Sequence, residues 1–515
     1  MVGRTDLSFP QEIWWLVAQE FASRRDFDGL YLCARLGPGM ARMALPELYA
    51  IHDQSPAINA HILDIETSVC LWRSIVASSL GNTLFPYCCW IKALKLSNLQ
   101  SHLEDLARNN PQLKAQFFEP PLEKLQIRRG RGGALNLEAI VIEVANMVTE
   151  CIRLSANQES KRAGITTLEG PYLPTANLRT WVSSLSSLTT LAVRDGSVLN
   201  SDVARAIRAN CPAFREVECY FCRGTDVDED LAGFLGTLKP NSLESFTIMS
   251  MNDIGGKTFK ALCEHSRSLK TLSLLSLEWP VFGSLNELQH CLSLVSLKLE
   301  GAPSARRYAW GTECKQVVEE VVQWLQKCAA LEDLEFTVVP TSTTILAEVL
   351  KSPAINLTRL SLKTSDLVNE FHASLRQQQR LQHLVVKITD EELLEGSDER
   401  HMLLADAIAC CHELRELDTN ELFTFEEVEH ICASLPLLED IVLNGELIDD
   451  FFLEPIAQLS KLKSLNIFGP SDFDSRFPHE EEVELVTRLW ERFSGRFDVN
   501  YRMDPNELHE SDFSD

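Results

Sequence analysis

The chain has 515 residues, 45 % of them apolar and 24 % charged, and its 74 acidic against 48 basic side chains give a net charge of -26. That size admits two to four globular domains or one long repeat array. The charge argues against nucleic-acid or anionic-membrane binding, both of which need a basic footprint, and favours a basic or mixed-charge protein partner.

No stretch approaches the roughly 18 uninterrupted apolar residues of a membrane span, and Met1 to Phe9 hold no apolar run behind basic residues. The sequence therefore predicts a cytoplasmic and/or nuclear protein without membrane contact. Fifteen cysteines, an odd number with no secretion signal, predict reduced thiols rather than a disulfide framework.

In chain order, residues 1–50 read as short helices. Phe9-Pro10-Gln11-Glu12-Ile13-Trp14-Trp15-Leu16-Val17 predicts the first, with its proline near the first turn, where a missing N–H costs nothing. Asp26 to Cys33 predicts the second and Met40 to Tyr49 the third. Gly37-Pro38-Gly39 precedes the third. Because proline costs about 3 kcal/mol inside a helix, a start at Pro38 costs little, whereas an earlier start would weaken a docking helix. Residues 51–89 read as a helical connector.

From residue 90 a six-residue core, apolar-x-x-apolar-x-apolar, recurs along the chain. It appears as Leu188-Leu191-Val193, Phe214-Val217-Cys219, Leu243-Phe246-Ile248, Leu269-Leu272-Leu274, Leu294-Leu297-Leu299 and Leu331-Leu334-Phe336. It continues as Leu357-Leu360-Leu362, Leu381-Leu384-Val386, Leu414-Leu417 with polar Thr419, Leu438-Ile441-Leu443 and Leu462-Leu465-Ile467. The central positions from Leu191 to Leu465 lie 26, 29, 26, 25, 37, 26, 24, 33, 24 and 24 residues apart. Most of these spacings match the 20–29 residues of leucine-rich repeats.

Ile91-Leu94-Leu96 and Leu122-Leu125-Ile127 predict two earlier copies, and residues 134–182 are less legible, with room for two irregular units. Between the cores the pattern turns helical, as in Val203-Ile207, Phe259-Leu262-Cys263, Val317-Val321-Leu325 and Val428-Ile431-Cys432. Thr424 with Glu427 predicts a capping box, and Asp226 an N-cap. Each unit has an apolar strand face and an apolar helix face that it cannot cover alone, so neighbours must stack. The fold expected is α/β: a three-helix segment, then a curved leucine-rich-repeat solenoid of strand-helix units of about 24–29 residues over 90–500, then an acidic tail at 501–515.

The N-terminal residues carry a further likeness. Phe9-Pro10-x-x-Ile13, the Arg25-Asp26-Phe27 turn and Ala44-Leu45-Pro46-x-Leu48-Tyr49 resemble a fungal-type F-box. Cys211, Cys291, Cys328, Cys410 and Cys411, each just before a strand, resemble the cysteine-containing repeats common in F-box proteins. The resemblance implies a substrate-recognition subunit of an SCF-type (cullin-RING) ubiquitin ligase. Its N-terminal helices would dock on the SKP adaptor, which links to the cullin scaffold, and Pro10, Ile13 and Leu16 would touch that adaptor. The alternative is a repeat scaffold whose N-terminal helices only cap the array.

Side chains alternate along a strand, so the residues between the apolar positions should form the concave binding face. The candidate substrate contacts there are Tyr220, Arg359, Lys363, His383, Lys387, Glu416, Asp418 and Phe468. Arg359, Lys363 and Lys387 make a basic band between acidic bands at Asp333/Glu335 and Glu416/Asp418/Asp440. This suggests a partner of alternating charge. The other reading is a solvated face whose neighbours pair with one another. Longer spacings at 301–312 and 390–400 predict loops inserted into the array. Cys219-x-x-Cys222 could be structural thiols or half a zinc site, and it lacks a second ligand pair. With no Walker loop, GxSxG elbow, HExxH or dinucleotide fingerprint, the sequence predicts no enzyme, no cofactor and no metal.

Overall fold

The computed structural model describes residues 10–54, 65–129, 133–155, 164–171, 173–302, 315–365, 367–389, 398–444, 453–468 and 498–502. It divides into two compact units, Met1–Ser245 and Phe246–Asp515. Among the described residues no helix is long and apolar enough to cross a membrane.

The first unit begins with α1 (Gln11–Ser23), α2 (Phe27–Arg35), α3 (Pro38–Ala50) and α4 (Ile65–Ser79). Pro10 occupies the N-cap of α1, and its carbonyl accepts the Ile13 N–H at 3.0 Å. Arg25 closes α1 in a left-handed conformation at φ 56°. The Asp26 carboxylate then opens α2 by accepting the Gly29 N–H at 2.7 Å. A side chain at Gly29 would meet the Asp26 carboxylate at 2.7 Å and the Phe21 ring at 2.8 Å, so this crossing requires glycine. Pro38 is the first residue of α3, so the glycine-proline break falls at a helix start, where proline's fixed φ fits. Ala18, Leu30, Cys33 and Ala44 form the buried centre of these three helices, with Phe21, Met40 and Leu48 packed around it.

The strands follow as β1 (Ala93–Lys95), β2 (Thr167–Gly170), β3 (Thr190–Asp195) and β4 (Glu216–Phe221), with parallel pairing from β1 to β2 to β3 to β4. Between them lie α5 (Leu96–Arg108), α6 (Pro111–Phe117), α7 (Leu137–Ser155), α8 (Thr175–Ser184) and α9 (Ser201–Asn210), and after them α10 (Val227–Thr237). The unit boundary falls in β5 (Ser245–Ile248).

The second unit alternates helix and strand: α11 (Gly256–Leu262), β6 (Thr271–Leu277), α12 (Trp279–Phe282), β7 (Ser296–Gly301), α13 (Lys315–Lys327), β8 (Asp333–Thr337), α14 (Ser342–Val349), β9 (Arg359–Thr364) and α15 (Asn369–Leu375). It continues with β10 (His383–Ile388), α16 (Asp398–Ala409), β11 (Glu416–Thr419), α17 (Phe425–Ser434), β12 (Asp440–Asn444), α18 (Leu453–Ala457), β13 (Ser464–Phe468) and β14 (Asp498–Arg502). From β6 to β14 every neighbouring pair is parallel.

The repeat pattern and the structure agree in detail. All three positions of each core, from Leu188-Leu191-Val193 to Leu462-Leu465-Ile467, are buried, including Thr419. One carbonyl just before each strand accepts two successive N–H groups from the next repeat: Glu332 from Thr358 and Arg359, Thr358 from Gln382 and His383, Gln382 from Arg415 and Glu416. These bonds satisfy the backbone where the chain turns into the sheet, so units stack in one fixed register. The cysteines before the strands serve the same turns. Cys211 Sγ donates to the carbonyl of Val182 in the preceding repeat at 3.3 Å, and Cys328 Sγ to that of Cys291 at 3.6 Å. Where a repeat has no such cysteine, buried Gln378 bonds the Leu357 N–H and the carbonyls of Leu350 and Ile355.

Two sequence expectations are corrected. Leu122-Leu125-Ile127 is not a strand: Glu123–Leu125 is a single 3-10 turn, and β1 pairs directly with β2. Pro120-Pro121 just before it supplies no N–H to a ladder, so the leucines are buried without joining the sheet. Among the described residues of 134–182 there is one strand, β2, between α7 and α8, where two repeat units were expected. Most of the 301–312 and 390–400 insertions, and the tail from residue 503, lie outside the described residues.

Candidate functional site

Two surfaces are defined well enough to examine. The first is on the N-terminal helices. Pro10 is exposed, Ile13 and Leu16 of α1 are 43 % and 53 % exposed, and their three-residue spacing puts them on one helix face. On α2 and at its C-cap, Tyr31, Leu32 and Leu36 are 55 %, 59 % and 70 % exposed. The sequence reading named the α1 residues and missed those of α2. A spacing rule could not find them, because the small side chains Ala18, Cys33 and Ala44, rather than these large ones, fill the buried centre. Trp15 Nε1 donates to Glu47 at 3.2 Å and ties α1 to α3 behind the exposed face.

The second surface is the outward row on β8 to β12. Strand register sets Asp333, Arg359, His383, Glu416 and Asp440 in one line across the sheet. Lys363 stands opposite Lys387 in another. The acidic and basic bands expected from the sequence are therefore adjacent strands, and they pair across the ladder. Arg359 Nη2 lies 3.7 Å from Asp333, Lys298 Nζ 3.0 Å from Glu335, His383 Nδ1 2.7 Å from Glu416 and Lys387 Nζ 3.0 Å from Asp418. This is the self-paired arrangement, in which partly exposed pairs are worth about 0–1 kcal/mol each. Burial pushes the Glu300 carboxyl above its ordinary range, against the pull of Lys363. At the other end burial, helped by the charge of Glu416, raises Asp440.

Six of the sequence candidates, Arg359, Lys363, His383, Lys387, Glu416 and Asp418, are thus brought together on β9, β10 and β11. Tyr220 belongs to the first unit, where it is 53 % exposed at the end of β4 with the Arg194 guanidinium 5.9 Å from its ring. The backbone of Phe468 pairs in β13 beside Asn444 and Arg502, and its side chain lies outside the described residues.

Cys219 and Cys222 are both fully buried, and a Cβ at Gly196 would come within 2.1 Å of Cys222 Sγ, so that pair is packed tightly beneath a turn. A different sulfur group is assembled in the first unit. Cys88 and Cys89, on a 3-10 turn at Tyr87–Cys89, meet Cys151 of α7, with all three sulfurs within 4.8 Å of one another. Hydrogen bonds from Cys151 and Cys88 hold the Cys89 thiol down to about 3, while the same sharing pushes Cys88 up. Sequence reading missed this group, since the adjacent pair and its third member are 62 residues apart and only the packing of α7 joins them.

No family model matches the sequence, and no curated protein matches it. Among solved structures the chain is similar to one from the complex of Rad7 and Elc1 in yeast, with 15 % identity, 80 % of this chain and 91 % of that one covered, and a TM-score of 0.42. It is also similar to a chain from the complex of TLR13 with ssRNA13, with 14 % identity, 66 % of this chain and 42 % of that one covered, and a TM-score of 0.32. The repeat architecture rests on the register of this chain's own strands, which pair in parallel from β1 to β4 and from β6 to β14.

Proposed function

We propose that the chain is a protein-binding subunit without chemistry of its own: the substrate-recognition subunit of an SCF-type ubiquitin ligase, working in the cytosol or nucleus. Its N-terminal helices would dock on the SKP adaptor and its repeat surface would hold a protein substrate. The observation carrying this reading is that α1 to α3 have a buried centre of their own yet leave Ile13, Leu16, Tyr31, Leu32 and Leu36 exposed. Large apolar side chains left in water by helices that are already packed fit an interaction surface. The F-box-like residues suggest the kind of partner, and α3 starting at Pro38 is compatible with it.

The test is co-expression of the full chain with the SKP adaptor, comparing wild type with Pro10→Ala plus Ile13→Asp. The wild type should retain the adaptor and the variant should lose at least about tenfold of it, since a charge replaces an apolar side chain that docking would bury. Both should melt alike, because neither position belongs to the buried centre. An adaptor absent from the wild-type eluate would favour a repeat scaffold that binds proteins without ligase assembly.

A further inference from the structure

Several buried cysteines of this chain have an ordinary structural use. Cys211, Cys328 and Cys411 each point their sulfur at a backbone carbonyl, at 3.3, 3.4 and 3.6 Å from the nearest. Cys263 and Cys291 bring two sulfurs together at 3.8 Å, whereas Cys88, Cys89 and Cys151 bring three. Cys88 Sγ is 3.2 Å from Cys151 Sγ and 3.9 Å from Cys89 Sγ, and all three lie within 4.8 Å. Three sulfurs about 2.3 Å from a central ion in a trigonal plane would stand about 4.0 Å apart, so a small ion fits with shifts of a few tenths of an ångström.

The surroundings hold the donors in place. The Cys88 N–H donates to Ser78 Oγ at 2.7 Å, and Ser78 Oγ donates to the Ile75 carbonyl of α4 at 2.8 Å. Cys89 Sγ lies 3.3 Å from Ser155 Oγ, one turn beyond Cys151 on α7. Cys88 and Cys89 are buried, whereas Cys151 is partly exposed and gives an ion a way in. Among the described residues no histidine or carboxylate joins the group as a fourth ligand. Structural zinc is almost always bound by four protein ligands, so of the soft cations that cysteine thiolates favour, three thiolates without a fourth ligand suit Cu(I) better than zinc.

We propose that Cys88, Cys89 and Cys151 form a three-thiolate site for a soft, thiophilic cation of low coordination number, with Cu(I) as its probe. The site lies between α4 and α7, and its turn touches α3 through the Tyr49 ring stacked on Tyr87 at 4.7 Å, so metal uptake by Pro10→Ala plus Ile13→Asp should match wild type even if adaptor docking is lost.

The test uses the reduced full-length chain under anaerobic conditions, titrated with Cu(I) against a chromogenic chelator. Wild type should take up one more tightly bound equivalent than Cys151→Ser or Cys89→Ser, with at least about a hundredfold loss of affinity at the altered site. Cys211→Ser, which removes a carbonyl-bonded thiol, should keep that equivalent. X-ray absorption should show copper surrounded by three sulfurs. Melting curves separate site loss from unfolding, and two independent site variants guard against one failing to fold. Equal uptake by wild type and both variants would overturn the proposal. So would preferential uptake of Zn(II), or a Cys88–Cys151 disulfide forming on air exposure in a protein that binds no copper.

Discussion

His102 shows how one buried residue links folding to pH. It sits inside α5 with its ring 6.1 Å from that of Phe117, and its Nε2 has no hydrogen-bond partner among the described residues. Burial lowers its pKa to about 4, against a pull upward from Asp105. His52, whose Nδ1 lies 2.9 Å from the Tyr49 carbonyl, is likewise lowered by burial. Because the folded state disfavours the proton, stability is complete above the unfolded pKa of about 6.5 and is lost as pH falls towards 4. The His102 part of that loss should reach up to about 3 kcal/mol. Urea midpoints measured between pH 7 and 4 check this: His102→Gln should flatten the profile, and a slope equal to wild type would refute the assignment. The spacing of Leu99, Leu103 and Leu106 on α5 puts His102 on the inward helix face, but its lack of a partner is a property of the packed site.

At the scale of single elements, caps separate what a local motif can and cannot promise. Thr424 and Glu427 form the reciprocal capping box expected of them: the Thr424 N–H donates to the Glu427 carboxylate at 2.8 Å, and the Glu427 N–H to Thr424 Oγ1 at 3.4 Å. Asp226 does occupy the N-cap of α10, yet its side chain makes no capping hydrogen bond. Asn200, not singled out beforehand, caps α9 by accepting from Asp202 and Val203 at 3.0 and 3.1 Å. Thr424→Ala should therefore cost about 1 kcal/mol. Asp226→Ala should cost only a few tenths through the helix dipole. Chemical denaturation of the two variants side by side decides it, and equal losses would contradict the difference in geometry. A residue type and a spacing name a cap candidate, but the backbone at the previous turn decides whether the side chain reaches.

Over the whole molecule, each repeat touches mainly the repeats before and after it in sequence, so a defect should spread locally. Leu384 of β10 is 1 % exposed, and Leu384→Ala should cost about 2–5 kcal/mol. Hydrogen exchange should rise first in β9 to β11, between Arg359 and Thr419, while β1 to β3 keep wild-type protection. Uniform acceleration along the chain would instead mean one cooperative block. The sequence by itself determined the repeat and the inward residues of each strand, because a period of two along strands and of about 25 along the chain is written in side-chain chemistry that every unit must satisfy alike. The Leu122 copy failed because a triplet records burial, and burial does not require a sheet. Only the tertiary structure decided which charges neutralise one another, which apolar side chains of α2 stay in water, and that Cys151 meets Cys88 and Cys89. Those depend on contacts between segments far apart in the chain, and no local spacing encodes them.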